Sequence, residues 1–328
     1  WGSAPRGPLV RLDRAHQGEW LGSVIGLDPA TGKDRVYQVL RCEYCIAIHL
    51  WPLADPDALA AYYRCRFYQH SKPAYLDEYA EDRCWWEATH RTILEAAAPW
   101  VPLPRGTMLD VGAGPGHPLT VGRRLGYATM ALEPSSVAAD QLRLRNHTVW
   151  EMTLAEFAPP FSAGGFDLVY AYEVLEHQAD PETFLLQCYD LLGPGGVLIV
   201  AVPSDWSPAQ LEACRRFHLP QWWVSAPDHQ YYWTKDTLKL CARRCGFQLR
   251  YMRMSFPLIE HFMLEQGRCY VGDPLLGRQC HQERVALEMA AIAAGRWPAL
   301  EAEYIANVEP RIGREIIAIF QKGSDRKE

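Results

Sequence analysis

From about residue 107 onwards, strand-like and helix-like hydrophobic patterns alternate along the chain. Seven short apolar runs with the character of strands lie at 108–111, 128–132, 148–151, 166–172, 197–202, 247–254 and 315–320. Stretches with helical spacing, such as 118–125 and 234–245, separate them. This alternation is typical of a parallel sheet that helices cover on both faces. The pattern therefore predicts an α/β fold.

Two other regions flank or interrupt this alternation. Turn residues at 28–32 precede an extended run at 36–40, which predicts a hairpin. From residue 57 apolar residues recur at helical spacing with a break at 70–73, which predicts two helices leading into the core. The segment 255–314 is too long for a loop and rich in Ala, Leu and Glu, so it predicts a helical insertion.

These patterns divide the chain into four parts. Residues 1–100 are expected to form a hairpin appendage and cap helices, and 101–254 the sheet core. Residues 255–313 are expected to form a helical insertion that caps the substrate, and 314–328 the final core strand and a tail.

The composition excludes several classes of protein. Of the 328 residues, 48% are hydrophobic and 22% are charged, as in a globular protein. The net charge is −6, so no uniform positive field is available to hold duplex nucleic acid. The longest apolar run, 197–202, is far shorter than the ~20 residues of a membrane-spanning helix. We expect a protein that acts on a small molecule, away from membranes.

Cysteine usage and the start of the sequence bear on the compartment. The ten cysteines are irregularly spaced in a long chain, unlike a small disulfide framework. The sequence opens Trp1-Gly2-Ser3 and shows no secretory leader. A cytoplasmic protein is therefore expected.

A glycine-rich turn follows the first core strand. The strand ends in Asp110-Val111, and Gly112, Gly114 and Gly116 follow at every second position before a helix begins. Such a turn lets a ligand approach the backbone and the amides of the helix N-terminus. A dinucleotide fingerprint would read G-x-G-x-x-G, whereas this loop reads G-x-G-x-G. The difference favours a nucleoside that bears an amino acid over one that bears a pyrophosphate.

A carboxylate ends the second core strand. Glu133 follows Ala131-Leu132, which places it at the carboxyl edge of the sheet beside the glycine loop. A carboxylate at this position can accept hydrogen bonds from both hydroxyls of a ribose. Glu133 is therefore a candidate for nucleoside binding.

An ordered set of motifs resembles class I S-adenosylmethionine-dependent methyltransferases. The set comprises the glycine loop, Glu133, a fourth strand that runs into Glu-Val-Leu-Glu-His at 173–177, and Leu-Leu-Gly-Pro-Gly-Gly-Val at 191–197. The resemblance covers about residues 105–254 and the closing strand. It implies a Rossmann-like, doubly wound sheet of seven strands with an antiparallel last strand, and S-adenosyl-L-methionine as the cofactor.

The resemblance also implies which residues hold that cofactor. The glycine loop and Asp110 would line its methionine end, Glu133 would hold the ribose, and a turn at 153–156 would lie near the adenine. The residues that it implies for the cofactor are Asp110, Gly112, Ala113, Gly114, Gly116, Glu133, Pro134, Leu154, Ala155 and Tyr170.

Four polar residues are candidates for the chemistry. Glu173, Glu176 and His177 have the spacing i, i+3, i+4, so in a helix they would share one face. His229 comes shortly before a helix whose N-cap we assign to Thr234. Together, these residues resemble the metal site of small-RNA 2′-O-methyltransferases, and the first three resemble a stretch of ubiquinone-pathway O-methyltransferases.

Two interpretations of this set stay open. In the first, Glu173, Glu176, His177 and His229 hold a divalent ion that lowers the pKa of a substrate hydroxyl. In the second, His177 is a metal-free base, Glu173 orients the substrate and His229 lines the pocket.

A pair of cysteines near the start resembles half of a zinc ribbon. Cys42 and Cys45 look like the second knuckle of the ribbon that precedes the core in some bacterial methyltransferases, but residues 1–41 contain no cysteine. A structural zinc needs four ligands, and His16 and His49 are weak candidates for the others. A metal-free hairpin is therefore the expectation. Aromatic pairs such as Trp222-Trp223 are assigned to the core rather than to a site.

The sequence thus predicts an S-adenosylmethionine-dependent methyltransferase. Its expected reaction is O-methylation of a small polar molecule, such as a sugar or a secondary metabolite. An N-methyltransferase of a small amine is the alternative enzyme. The alternative without catalysis is a protein that binds S-adenosylmethionine as a sensor or scaffold.

Overall fold

A five-stranded antiparallel sheet is built mostly from the first residues of the chain. The computed structural model describes residues 9–11, 17–45, 47–104, 106–158 and 165–323. The strands of this sheet, in spatial order, are β1 (Leu9–Arg11), β2 (Gln17–Leu27), β3 (Asp34–Cys42), β4 (Ile48–Trp51) and β10 (Tyr231–Tyr232). The predicted hairpin is confirmed, since β2 and β3 pair around a turn closed by Gly32 N–H and the Asp28 carbonyl at 2.8 Å. The fifth strand, β10, was not predicted.

The segment between this sheet and the core holds more helices than the sequence predicts. It contains three α-helices and one π-helical turn, namely α1 (Pro56–Cys65), the π-turn Phe67–Ser71, α2 (Tyr75–Glu81) and α3 (Arg83–Ala97). The prediction of two helices is wrong because Asp82 ends α2 and also begins α3. No proline or glycine marks that boundary in the sequence.

A seven-stranded sheet forms the core, as predicted. Its strands, in spatial order, are β11 (Phe247–Met254), β12 (Glu315–Lys322), β9 (Leu192–Pro203), β8 (Phe166–Tyr172), β5 (Thr107–Val111), β6 (Ala128–Leu132) and β7 (Thr148–Trp150). The last strand, β12, runs antiparallel to both of its neighbours. β5 has a parallel neighbour on each side, β6 on one and β8 on the other, so the strand order reverses beside β5. Open α/β sheets bind ligands at such a point.

Helices cover both faces of the core sheet. They are α3, α4 (His117–Arg124), α5 (Ser136–Leu144), α6 (Pro181–Leu191) and α8 (Lys235–Arg244). A further helix, α7 (Pro208–Phe217), packs instead against Ile259 and Met263. Along β9, Leu198 and Val200 pack into the hydrophobic cluster of one face, and Val197 and Ile199 into that of the other. Because both faces are buried, the strand is an unbroken apolar run. The predicted N-cap of α8 is confirmed, since the Thr234 hydroxyl accepts a hydrogen bond from Thr237 N–H.

The segment before β12 is helical, as predicted. It contains a π-helix (Ile259–Glu265), α9 (Pro274–Ala293) and α10 (Trp297–Ala306). Glu288 of α9 ties this segment together and to α3, because its carboxylate accepts from Trp85 Nε1 of α3 at 2.7 Å and from the Tyr304 hydroxyl of α10 at 2.9 Å. None of the helices in the described parts of the chain is long and apolar enough to cross a membrane.

Candidate active site

A cavity of about 1110 Å³ opens at the carboxyl ends of β5, β6 and β8. The glycine loop and Glu133 line one end, and Glu173, Glu176, His177 and His229 line the other. Aromatic residues from α1, the π-turn and α2 close it from above. Most of the predicted cofactor residues and all of the predicted catalytic residues therefore line one cavity.

The glycine loop has the backbone that its sequence implies. Gly112 and Gly114 have φ values of +68° and +46°, in the left-handed region that residues with a Cβ avoid. A Cβ on Gly112 would also lie 2.8 Å from Val174 Cγ2. Glycine at this position thus lets the loop after β5 pass close to the turn after β8.

Two backbone amides hold Glu133 in place. Its carboxylate accepts hydrogen bonds from Gly114 N–H at 2.8 Å and Ser135 N–H at 2.9 Å. The side chain is buried, and burial raises the pKa of Glu133 to about 7. The carboxylate is therefore fixed before a ligand arrives, with lone pairs left for ribose hydroxyls.

The other predicted cofactor residues divide into two groups. Asp110, Ala113, Pro134, Leu154 and Ala155 line the cavity, whereas Gly116 and Tyr170 do not. Gly116 is the N-cap of α4, and the buried Tyr170 hydroxyl lies 2.8 Å from His90 Nδ1. Asp110 is buried with one oxygen, Oδ2, that has no hydrogen-bond partner in the described structure.

The turn after β8 is not the helix that its spacing suggests. Glu173 has a φ of +54°, and only Leu175–His177 forms a short 3₁₀ turn. The predicted shared helical face of Glu173, Glu176 and His177 is therefore wrong. The left-handed residue turns the chain sharply at the end of the strand, so Glu173 is separated from the other two.

Glu176, His177 and His229 come together on the cavity wall. One ligand atom from each residue lies within 4.8 Å of those of the other two. Glu176 is 1% exposed, and neither of its carboxylate oxygens has a hydrogen-bond partner among the described residues. Its Oε1 lies 3.8 Å from His177 Nε2, beyond hydrogen-bond distance. Glu173 is not part of this compact group.

The fifth strand of the first sheet places His229 beside Glu176. Gln230 N–H donates to the Glu176 carbonyl at 2.8 Å, and Leu50 N–H donates to the Gln230 carbonyl at 2.9 Å. The backbone around Gln230 is thus tied to the turn after β8 on one side and to β4 on the other. These two bonds bring together parts of the site that lie more than fifty residues apart in sequence.

Burial dominates the electrostatics of this end of the cavity. It raises the pKa of Glu176 well above its ordinary value and that of Glu173 to about 7. It lowers the pKa of His177 and, more strongly, that of His229. His177 is therefore a neutral imidazole near pH 7. Its Nδ1–H donates to the Asp228 carbonyl at 2.7 Å, which leaves the lone pair on Nε2.

The sequence analysis missed the aromatic side chains that close the cavity. Tyr63 packs edge-on to His177 with ring centroids 5.5 Å apart, and the Tyr68 hydroxyl lies over Gly114. Trp222 and Trp223, assigned above to the core, also line the cavity. Their aromatic spacing was visible in the sequence, but it is equally typical of a buried core.

Comparison with known proteins identifies the family. A family described as "Methyltransferase domain" matches residues 79–251, which is more than half of the chain. The chain belongs to this family. It is a class I S-adenosylmethionine-dependent methyltransferase, as the resemblance of its ordered motifs implied. The methyltransferase assignment favours an enzyme over a binding protein without catalysis. The Glu-Val-Leu-Glu-His segment and the cysteine pair stay predictions as family signatures.

Curated relatives of the methyltransferase share part of its length. A ubiquinone biosynthesis O-methyltransferase of Caulobacter vibrioides is 41% identical over 106 residues, which cover 29% of this chain and 40% of the relative. One of Maricaulis maris is 30% identical over 171 residues, which cover 48% of this chain and 65% of the relative. The chain thus spans less than two thirds of the length of these relatives.

Solved structures resemble the methyltransferase over most of its length. One is a chain of the complex between the Haloferax volcanii Trm112 methyltransferase activator and a methyltransferase, with 17% identity, a TM-score of 0.51, and coverage of 81% of this chain and 100% of that one. Another is Haemonchus contortus phosphoethanolamine N-methyltransferase 2, with 13% identity, a TM-score of 0.50, and coverage of 96% and 71%. At these identities the likeness shows the fold alone.

Proposed function

We propose that the protein transfers the methyl group of S-adenosylmethionine to a hydroxyl of a small polar molecule. The observation that carries this proposal is that the buried Glu176 and the partly buried His177 and His229 come together on the wall of the cavity. A hydroxyl must lose its proton as it is methylated, whereas a free amine needs alignment alone. The names of the curated relatives agree with O-methylation of a small molecule.

In this proposal His177 accepts the proton. The substrate oxygen attacks the methyl carbon in line with the C–S bond, which breaks and leaves S-adenosylhomocysteine. The hydroxyl proton passes to His177 Nε2, whose lone pair is available because Nδ1–H bonds to the Asp228 carbonyl. Glu173, on the same cavity wall, orients the substrate, and His229 lines the pocket beside the base.

The same group also fits a divalent cation. Glu176 has two buried oxygens without hydrogen-bond partners, and His229 Nδ1 is likewise buried and unbonded within the described structure. Burying a carboxylate in this state is costly unless a positive charge approaches it. Glu176, His177 and His229 would hold the ion, and an O/N/N set suits Mg²⁺, Mn²⁺ or Fe²⁺. Glu173, predicted above as a fourth ligand, lies outside this compact group.

When bound, such an ion would lower the pKa of a substrate hydroxyl and favour substrates with two neighbouring oxygens, as in sugars and catechols. The residues of the chain would still align the substrate. Residues 1–100 and the insertion 255–313 act in this proposal as the cap, since Tyr63, Tyr68 and Tyr270 line the cavity. The cap excludes water from the reacting atoms.

A methyl-transfer screen tests the reaction. The purified protein is given S-adenosylmethionine with panels of sugars, catechols, other small alcohols and small amines, and the products are identified by mass spectrometry. The proposal expects methyl ethers from the hydroxyl panels. Methylation of amines alone would overturn it and support the N-methyltransferase alternative.

A matched pair of variants tests the cation. After dialysis against EDTA, Mn²⁺ binding is measured by calorimetry and activity is measured with and without added ion. If the ion is bound, His177 Nε2 is a ligand and not the base, and the wild type loses activity in EDTA and regains it with one divalent ion. Glu176→Gln should bind Mn²⁺ at least ~10-fold more weakly, whereas Glu173→Gln should bind it as the wild type does. Full activity in EDTA would leave His177 as an unassisted base.

A further inference from the structure

A second group of metal-ligating side chains lies in the first sheet, away from the cavity. Cys42 ends β3, Cys45 lies in the turn that follows, and His49 lies in β4. One ligand atom from each of the three lies within 4.8 Å of those of the other two. None of the three lines the cavity, and all precede residues 79–251, the part that the family match covers.

The register of the sheet brings these residues together. Leu40 pairs with His49 in the antiparallel ladder of β3 and β4, so Cys42, two residues beyond Leu40, lies on the same face as His49. Cys42 N–H donates to the Ala47 carbonyl at 2.9 Å, which closes the turn that carries Cys45. Cys42 and His49 are both buried, whereas Cys45 is partly exposed. The group can therefore be reached from the side of the turn.

The hydrogen bonds around the group orient it for a metal. His49 Nδ1 lies 2.7 Å from the Leu50 carbonyl, so it is the protonated nitrogen, and the lone pair is on Nε2. Histidine ligands usually have their second nitrogen fixed in this way. His49 can therefore offer Nε2 to an ion that it shares with the two cysteines.

We propose that Cys42, Cys45 and His49 form a zinc site that pins the turn between β3 and β4. Two thiolates and one imidazole are a soft ligand set that Zn²⁺ prefers over Mg²⁺ or Ca²⁺. No fourth His, Cys, Asp or Glu joins the group within the ranges that the structure describes. A water can fill the remaining tetrahedral position. His16, the other candidate from the sequence, lies outside the described residues.

The site has a consequence for the cavity. His49 pairs with Tyr231 of β10, and Leu50 N–H donates to the Gln230 carbonyl. The zinc would thus stiffen β4, the strand that is hydrogen-bonded to Gln230, the residue after His229. The metal-free hairpin expected from the sequence is replaced in this proposal by a metal-bound one, because the fold supplies His49 as a third ligand.

Zinc stoichiometry tests the site. All proteins carry Glu176→Gln, which removes the carboxylate ligand of the group on the cavity wall and weakens that competing site. After chelation and reloading with zinc alone, metal content is measured by elemental analysis and native mass spectrometry. We expect about one zinc per chain in this background and about none after Cys42→Ser or Cys45→Ser. Cys65→Ser, which alters an exposed cysteine outside the group, should keep the metal.

Two measurements on unaltered cysteines guard against variants that fail to fold. Zinc should protect two thiols from alkylation, and Co²⁺ in its place should give the absorption of thiolate-to-metal charge transfer. Hydrogen exchange at β4 and the preceding turn should slow when zinc is added. Absence of zinc and cobalt binding, retention of zinc by Cys42→Ser, or a Cys42–Cys45 disulfide in place of the metal would overturn the proposal.

Discussion

The two ends of the cavity are built in different ways. At the cofactor end, Glu133 accepts hydrogen bonds from two backbone amides that follow β5 and β6 directly. At the substrate end, Glu176 and His229 come from segments that are distant in sequence and meet through the backbone of Gln230. The polar atoms of Glu133 are bonded, whereas both carboxylate oxygens of Glu176 lack partners in the described structure.

The backbone alone positions the carboxylate of Glu133, whereas the carboxylate of Glu176 needs a ligand to complete its interactions. A carboxylate held by amides keeps its geometry whether or not the cofactor is present. A buried carboxylate without partners is stable only when another group supplies the missing interactions. The cofactor end is therefore preorganised, and the substrate end is assembled fully only with its ligands.

The largest effect is expected at the substrate end. His177→Ala should lower turnover by about 10²–10⁴-fold, because a base acts in the transition state. S-adenosylhomocysteine affinity should change little, since the cofactor end does not depend on this side chain. Steady-state kinetics and calorimetry measure the two quantities.

A matched histidine gives the control for that prediction. His218 is exposed, and its backbone φ of 54° lies in the left-handed region, which Asn tolerates. His218→Asn should therefore keep wild-type turnover. Unaltered turnover in His177→Ala would remove His177 from the mechanism. Loss of cofactor affinity in the same variant would show that the two ends are not separate.

The next effect is expected at the cofactor end. Glu133→Ala should weaken S-adenosylhomocysteine binding by about 1–3 kcal/mol through loss of hydrogen bonds from ribose to a charged acceptor. Glu95→Ala is the matched control, because this exposed carboxylate on α3 pairs with Arg91 outside the cavity. Equal affinities of all three proteins in calorimetry would contradict the assignment of Glu133.

Cofactor affinity should depend on pH near neutrality. Burial raises the pKa of Glu133 to about 7, so the free enzyme loses this carboxylate as the pH falls through that value. Because the ribose needs the ionised form as acceptor, affinity should fall toward pH 5.5, by at most about 10-fold per pH unit. Glu133→Ala should lack this part of the dependence. A wild-type cofactor affinity that does not change between pH 5.5 and 8 would contradict this role of Glu133.

The elements that follow from local patterns could be predicted from the sequence. All seven core strands were predicted, because buried parallel strands are short apolar runs bounded by turns. The glycine loop and Glu133 were also found, since each directly follows its own strand. At the cofactor end, the residues that meet in space each follow the end of a strand. The hydrophobic pattern of the sequence locates those strand ends.

The substrate end could be predicted only in part. The residue types Glu176, His177 and His229 were identified, but the shared helix was wrong because Glu173 is left-handed. The position of His229 depends on Gln230 and on β10, a two-residue strand with no pattern of its own. The aromatic cap depends on tertiary contacts, which hydrophobic spacing does not distinguish from a core.

The smallest effect is expected where the two ends touch. A Cβ on Gly112 would meet Val174 Cγ2 at 2.8 Å, and the φ of +68° adds backbone strain. Gly112→Ala should therefore weaken S-adenosylhomocysteine binding by about 1–2 kcal/mol. Val174→Ala alone should change it little, because Val174 follows β8 and does not belong to the glycine loop.

The double variant measures the coupling between the ends. Removing the valine methyls relieves the collision but not the strain in φ, so Gly112→Ala with Val174→Ala should recover about 0.5–1 kcal/mol of the loss. Calorimetry of the wild type, both single variants and the double variant gives this coupling energy. Strict additivity would mean that the contact carries no energy, and that the two ends of the cavity are independent even where they meet.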